Sequence, residues 1–364
     1  MPHMSPLGAA SEGAREALIL YGLGSMGQQI VDDLLAGGIA VELILDRGKS
    51  GQEYRGIPVL SLDDAGDGRL GGRSVLIGLH NHYVDVNRLH ADLLAAGAAR
   101  VLTPINLPDF IDNPDAGLGY WLEHDYDYPA HEADFARVRG LLADDKSREL
   151  FDSILRYRRT GDLADCPAPT LEDEYTPLDL PRFAGPLRLI GCGAYTGTAI
   201  HKFLKAGYAI DSFVAFEPDP TGFATLASRN FPVGKGYCLP LGSWSSTTQL
   251  RFAVGIPRGG YVSDDGNIVV QCVAIDDLLH GETINLVKLD VEGAEIETLK
   301  GMERLVREQR PNLVVSAYHT AGHLHEIVDL IESWQLGYRF HLRAHEYNTF
   351  GLVFYCLQDG LIEA

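Results

Sequence analysis

The chain has 364 residues, 46% hydrophobic and 22% charged, which is the composition of an ordinary globular protein long enough for two cores. A formal net charge of −20 repels nucleic-acid phosphates and anionic lipid, and the densest basic cluster (Arg156, Arg158, Arg159) is ringed by acidic residues. The five cysteines form no C-x-x-C pair and no apolar run reaches membrane-spanning length, so zinc, a disulfide framework and membrane insertion are not expected.

Residues 1–16 lack the apolar stretch of a signal peptide and are expected to be disordered, which together with the cysteine usage suggests a cytoplasmic protein. Residues 17–110 are expected to form a Rossmann-like nucleotide-binding domain. An apolar strand runs into Gly22, Gly24 and Gly27, spaced G-x-G-x-x-G, and then into an amphipathic helix carrying Met26, Ile30, Leu34 and Leu35. Asp46 closes the next strand 19 residues after Gly27, close to the offset at which a carboxylate meets a ribose. Gly22, Gly24, Gly27 and Asp46 are therefore a possible site for a second nucleotide ligand, or a scaffold that has kept its tight turn. SVLIGL (74–79) and RVLTP (100–104) read as further parallel strands, with a helix between them. His80, Asn81 and His82 follow a strand end, where a metal pair is conceivable and polar loop residues are the preferred reading.

Residues 111–180 turn polar, helical and proline-punctuated, with helices predicted over 132–143 and 146–160. This connector is assigned to the C-terminal domain. Tyr175 within it is a candidate to fold back over a ligand site, or to serve only in packing.

Residues 181–364 carry the second glycine turn. A strand of Leu187, Leu189 and Ile190 leads to Gly191, Gly193 and Gly197, then a helix, then a strand ending at Glu217. A glycine turn lets a ligand approach the backbone, and the helix behind it offers unpaired N–H groups. Glu217 lies 20 residues after Gly197, where both its oxygens can accept from ribose hydroxyls. The spacing G-x-G-x-x-x-G is looser than that of dinucleotide sites. The glycines alone leave a dinucleotide and S-adenosylmethionine both open. Farther on, NLVKLDVEGAE (285–295) puts Lys288, Asp290 and Glu292 on one face of an apolar strand, a costly placement unless the charges are paired or functional. A continuous helix is expected over AEIETLKGMERLVREQ, then a strand ending at Tyr318 and His319, a helix over 323–335 and two final antiparallel strands. Antiparallel strands QLRFAV and NIVVQCVAI are inserted before the Asp290 strand.

The segment VKLDVEGAE resembles the signature of the FkbM-type methyltransferase family, as do the glycine turn with Gly193, Ala194 and Gly197, FEPDP (216–220) and RPNLVVSAYH (310–319). The likeness covers roughly residues 120–358, and the N-terminal third resembles the nucleotide-sugar-binding domain that precedes sugar acetyltransferases. The resemblance implies an α/β protein whose C-terminal domain is a class I methyltransferase sheet, order 3-2-1-4-5-7-6 with the last strand antiparallel. It implies S-adenosylmethionine as cofactor, bound by Gly191, Gly193, Ala194, Tyr195, Gly197, Glu217 and Asp290, and O-methylation of a sugar, glycan intermediate or natural product. Gly191 stands where the family usually has Asp. His319 is the candidate general base with Asp290 beside it, and His323 and His345 are weaker candidates. Asp290 and Lys288 are alternatively a structural ion pair. No metal is expected, and Mg²⁺ at Asp290, Glu292 and His319 is not required by their spacing. Competing readings are an NAD(P)-linked oxidoreductase built on Gly22–Asp46 and a sensor with a degenerate methyltransferase domain. The expected partner is a small-molecule acceptor, with homo-oligomerisation left open.

Overall fold

The computed structural model describes residues 17–66, 68–111, 119–171, 173–255 and 260–363, and the stretch 1–16 expected to be disordered lies outside them. The chain is a mixed α/β protein. Contacts between Cα atoms divide it into two compact units: up to Tyr126 with Asp152–Ala168 and Tyr347–Thr349, and Asp127–Phe151 with Pro169–Glu346 and Phe350–Ala364.

The first unit contains a six-stranded sheet made of β1 (Leu18–Tyr21), β2 (Val41–Leu45), β3 (Glu53–Tyr54), β4 (Ile57–Leu60), β5 (Ser74–Ile77) and β6 (Arg100–Leu102). Their order is β3-β4-β2-β1-β5-β6, parallel throughout except for β3 against β4. The strands read as near-continuous apolar runs because helices cover the sheet. Helix Ser25–Ala36 buries Ile30, Val31 and Leu34, and helix Val86–Ala95 buries Val86, Leu89 and Leu93. The turn between β1 and its helix is tight: Gly22 has φ +94°, and a Cβ on Gly27 would lie 2.0 Å from the Gly22 carbonyl oxygen.

The second unit holds a seven-stranded sheet: β7 (Leu187–Cys192), β8 (Ile210–Phe216), β9 (Lys235–Leu239), β14 (Leu286–Leu289), β15 (Asn312–Ser316), β16 (Arg339–Ala344) and β17 (Leu352–Leu357). Between β9 and β14 lie β10 (Gly242–Ser243), β11 (Thr248–Ala253), β12 (Tyr261–Val262) and β13 (Ile268–Val273), a separate four-stranded sheet in which β11 and β13 pair antiparallel. The large sheet runs β16-β17-β15-β14-β7-β8-β9, and β17 is antiparallel to both of its neighbours. Counted along the chain, this is the order 3-2-1-4-5-7-6. The exits of β7, β14 and β15 thus lie side by side.

Two expectations change. The helix expected to run unbroken from 294 is two, Glu295–Lys300 and Glu303–Gln309. The break falls at Gly301, whose Cα lies so close to the Trp244 backbone that a Cβ would meet its carbonyl oxygen at 1.9 Å. The stretch 111–180 is also shared between the units, with the part up to Tyr126 and residues 152–168 in the first. There Tyr157 packs edge-on against Trp121 at 5.9 Å, Arg158 lies 4.6 Å over the same indole, and the Tyr157 hydroxyl donates to Asn348 at 2.5 Å. In the second unit, Phe135 packs against Tyr128 and Phe151.

All five cysteines are free, and no helix among the described residues is long and apolar enough to cross a membrane. Two of the three glycines of the first turn differ in a measurable way. Gly24→Ala meets nothing within 4 Å and should change stability by less than about 1 kcal/mol, whereas Gly27→Ala should cost about 1–3 kcal/mol or more in urea denaturation. Equal losses would contradict the packing described.

Candidate functional site

The site begins with a backbone contact that only glycine permits. Gly193, one residue past β7, has φ +67°, and a Cβ there would lie 1.7 Å from the Asp290 carbonyl oxygen at the end of β14. Lys288 pairs in register with Gly191, and its ammonium donates to the Gly193 carbonyl at 3.0 Å and to Asp290 Oδ2 at 3.2 Å. The charge expected to be costly on this strand is therefore spent joining two strand ends. Gly191 itself lies inside β7, with open space where a side chain would begin.

Asp290 also accepts from the hydroxyls of Tyr175, at 3.1 Å, and Tyr318, at 3.3 Å. Tyr175 does fold back to the strand end, held in a left-handed conformation (φ +70°) with its own N–H on the Tyr355 hydroxyl. Burial opposes ionisation of Asp290, but Lys288 and His319 outweigh it and hold the carboxyl well below its usual range.

The loop after Asp290 is fixed by Glu295, the fully buried first residue of its helix. Its Oε1 accepts from the Val291 amide at 2.8 Å and its Oε2 from the Gly293 amide at 3.1 Å, so the amides of the residues on either side of Glu292 are pinned. Glu292 sits between them at φ +52°, a strained conformation for a residue with a side chain. His319, three residues past β15, places Nδ1 2.8 Å from Glu295 Oε1 and Nε2 3.5 Å from Asp290 and 3.6 Å from Glu292. Burial alone would lower its pKa; Glu295, Glu292 and Asp290 more than offset that and raise it to about 9. His319 is thus an imidazolium at neutral pH. Glu295, His319 and His323 each bring a donor atom within 4.8 Å of the others, a spacing open to a metal ion, and Nδ1 of His319 lies at hydrogen-bonding distance from Glu295 Oε1. His345 lies in another network, between Thr170 and the Tyr355 hydroxyl.

Glu217, just past β8, is nearly buried and accepts one amide on each oxygen, Tyr195 N–H at 2.5 Å and Asp219 N–H at 2.8 Å. Burial raises its pKa, partly offset by these two amides. A cavity of 590 Å³ runs from Gly193, Tyr195 and Glu217 to Asp290 and Glu292, and Phe252 and Val270 of the inserted sheet line one wall. Ala194 and Gly197 lie behind the turn, where a Cβ on Gly197 would strike Phe231 at 2.4 Å. The strand ends thus bring Gly193, Tyr195, Glu217 and Asp290 to one cavity, with His319 buried against Asp290. The sequence reading assigned no role to Tyr318 at its strand end or to Glu295 at the close of VKLDVEGAE. A local sign of Glu295 was an acidic residue opening a helix after a glycine turn.

In the first unit, Gly22, Gly24 and Gly27 form the expected turn, but Asp46 is turned inward onto it. Its Oδ2 accepts from Leu23 N–H at 2.8 Å, and its Oδ1 accepts from Gly48 and Lys49 amides at 2.9 and 3.2 Å. The Lys49 ammonium caps the Leu23 carbonyl at 2.5 Å. His80 meets the Gly119 carbonyl at 3.0 Å and packs edge-on against Trp121. Neither His80 nor His82 belongs to a cluster of three metal-ligating side chains among the described residues.

Residues 191–340 match the methyltransferase FkbM domain. The hexuronic acid methyltransferase AglP of Haloferax volcanii is 32% identical over 130 residues, 34% of this chain and 53% of that protein, so the match spans about half of the relative's length. The solved structure of methyltransferase FkbM from Methylobacillus flagellatus KT shares the fold, with a TM-score of 0.71 at 21% identity over 94% of this chain and 90% of the other.

The cluster makes a prediction about pH. The raised pKa of His319 contributes stability that is complete below about 6.5 and lost as pH rises through about 9, while the lowered pKa of Glu295 contributes stability that is lost in acid. Glu295→Gln should cost about 3–5 kcal/mol and flatten the alkaline limb of melting temperature against pH. A variant with the wild-type limb would show that Glu295 does not hold the imidazolium.

Proposed function

We propose that this chain is an FkbM-type methyltransferase that takes its methyl group from S-adenosylmethionine and delivers it to a hydroxyl of a sugar, glycan intermediate or related natural product. The observation that carries the reading is one cavity lined together by Gly193 and Tyr195 of the glycine turn, by Glu217, and by Asp290 and Glu292. The strand order with its reversed final strand is that of a class I methyltransferase sheet, which supports the same reading. So does the fit of the residues. Each Glu217 oxygen takes one amide and keeps acceptor capacity for a ribose hydroxyl, and the turn is closed to a Cβ but open to a ligand. The sugar acceptor follows the relative named a hexuronic acid methyltransferase.

The bound cofactor would supply an electrophilic methyl on a sulfonium, transferred in line. The chain's part is to orient and to move a proton. Asp290, ionised and held by Lys288, Tyr175 and Tyr318, presents fixed negative charge to the cation and the incoming hydroxyl. The acceptor oxygen must come within about 3 Å of the methyl carbon, and its proton must leave. His319 serves as base once it has given up its own proton, with Glu295 fixing Nδ1 so that Nε2 faces Asp290 and Glu292.

Binding is tested by titrating the protein with S-adenosylhomocysteine, NAD⁺ and a nucleotide-sugar while following melting temperature. S-adenosylhomocysteine at 100 times its Kd should add about 2.7 kcal/mol. Glu217→Ala should weaken it by about 2 kcal/mol, roughly 30-fold, without unfolding the chain. Stabilisation by NAD⁺ alone would contradict the reading and favour an oxidoreductase. With a hexuronic acid glycoside as acceptor, kcat should rise with pH toward about 9, and His319→Ala should slow turnover while sparing cofactor binding. A flat profile between neutral pH and 9 would remove His319 from the base role.

A further inference from the structure

A second constellation in the same unit has no place in methyl transfer. His131 precedes the helix Glu132–Leu141, Asp134 lies in its first turn, and His325 and Asp329 stand one turn apart on the helix His323–Ser333. The two imidazole rings stack with centroids 4.8 Å apart and planes 26° from parallel. One donor atom from each of His131, Asp134 and His325 lies within 4.8 Å of the other two. We propose that His131, Asp134 and His325 form a binding site for a divalent transition-metal ion of the zinc type, which clamps these two helices together.

The surroundings are those of a supported ligand set. His325 is buried against the Phe135 ring, edge-on at 5.4 Å, and its Nδ1 lies 3.3 Å from Asp329 Oδ2, so a carboxylate orients the ring as supporting groups do around metal-ligating imidazoles. His131 and Asp134 are half-exposed, so an ion can enter from solvent and keep water as a further ligand. Arg137 donates to Asp134 Oδ1 at 2.8 Å and to both oxygens of Asp329, holding the carboxylates in place while Asp134 Oδ2 turns to His131 Nδ1 at 3.1 Å. Two carboxylates against one guanidinium leave the pocket net negative when the imidazoles are neutral, as metal binding requires. Two nitrogens and one oxygen suit Zn²⁺, Ni²⁺ or Cu²⁺ and do not suit Mg²⁺ or Ca²⁺, which take oxygen ligands. The clamp also reaches the methyl-transfer site, because the helix that carries His325 begins at His323, whose Nδ1 lies 3.5 Å from Glu295 Oε2.

The test is calorimetric titration of the metal-stripped full chain with zinc sulfate, repeated with magnesium chloride. One zinc per chain is expected, with affinity at least about tenfold weaker in both His131→Gln and Asp134→Asn, since removal of even a supporting group costs that much. Glu295→Gln should leave this zinc affinity unchanged, which separates the site from the Glu295, His319 and His323 cluster. No zinc uptake, wild-type affinity in both half-exposed variants, or a preference for magnesium would each overturn the proposal. Because those two side chains are half-exposed, the outcome does not depend on the folding of a His325 variant.

Discussion

One buried carboxylate fixes the geometry on which the site depends. Glu295 accepts two amides from the loop that leaves β14 and touches two histidines from the segment that leaves β15, so a single side chain sets how these adjoining strand ends face each other. The Gly193 contact with Asp290 does the same between β7 and β14. Together they lock three chain segments before any ligand arrives, the arrangement that lets fixed charges act without reorganising. The cost is a fully buried negative group, which survives only because amides and an imidazolium surround it.

Charge is distributed unevenly around that lock. Asp290 is held ionised by Lys288 and His319 against the burial that opposes it, His319 is held protonated by three carboxylates, and Glu217 is pushed toward its neutral form by burial. Groups whose surroundings move their pKa values in opposite directions mark sites that handle protons. The inserted sheet adds the complementary half. Phe252 and Val270 add apolar surface to a cavity that the carboxylates also line, so it can both pack a ligand and orient it.

Much of this was legible in the sequence because the signals are local. Gly193 and Gly197 announced positive φ and close approach, Glu217 announced a strand end, and Lys288 and Asp290 stood out as charges in an apolar run. What the sequence hid was set by residues far apart. The helix break at Gly301 is imposed by the Trp244 backbone, which no pattern around 301 encodes. Asp46 stood out by its ribose-like offset, but that its oxygens accept the amides of Leu23, Gly48 and Lys49 is a pairing that spacing cannot reveal. His319 looked like an ordinary imidazole until Glu295 appeared beside it, and Glu295 looked like an ordinary helix-opening acid. The pairing of His131 with His325 likewise exists only after folding.

The most direct measurement is a crystal structure of the full chain with S-adenosylhomocysteine. The account requires the ribose hydroxyls on Glu217, the ligand backbone over the Gly193 turn, and the sulfur pointing toward Asp290, with Glu292 and His319 beyond it. A ligand seated at Gly22 and Asp46 instead, or one in this cavity with its sulfur turned away from Asp290, would contradict it.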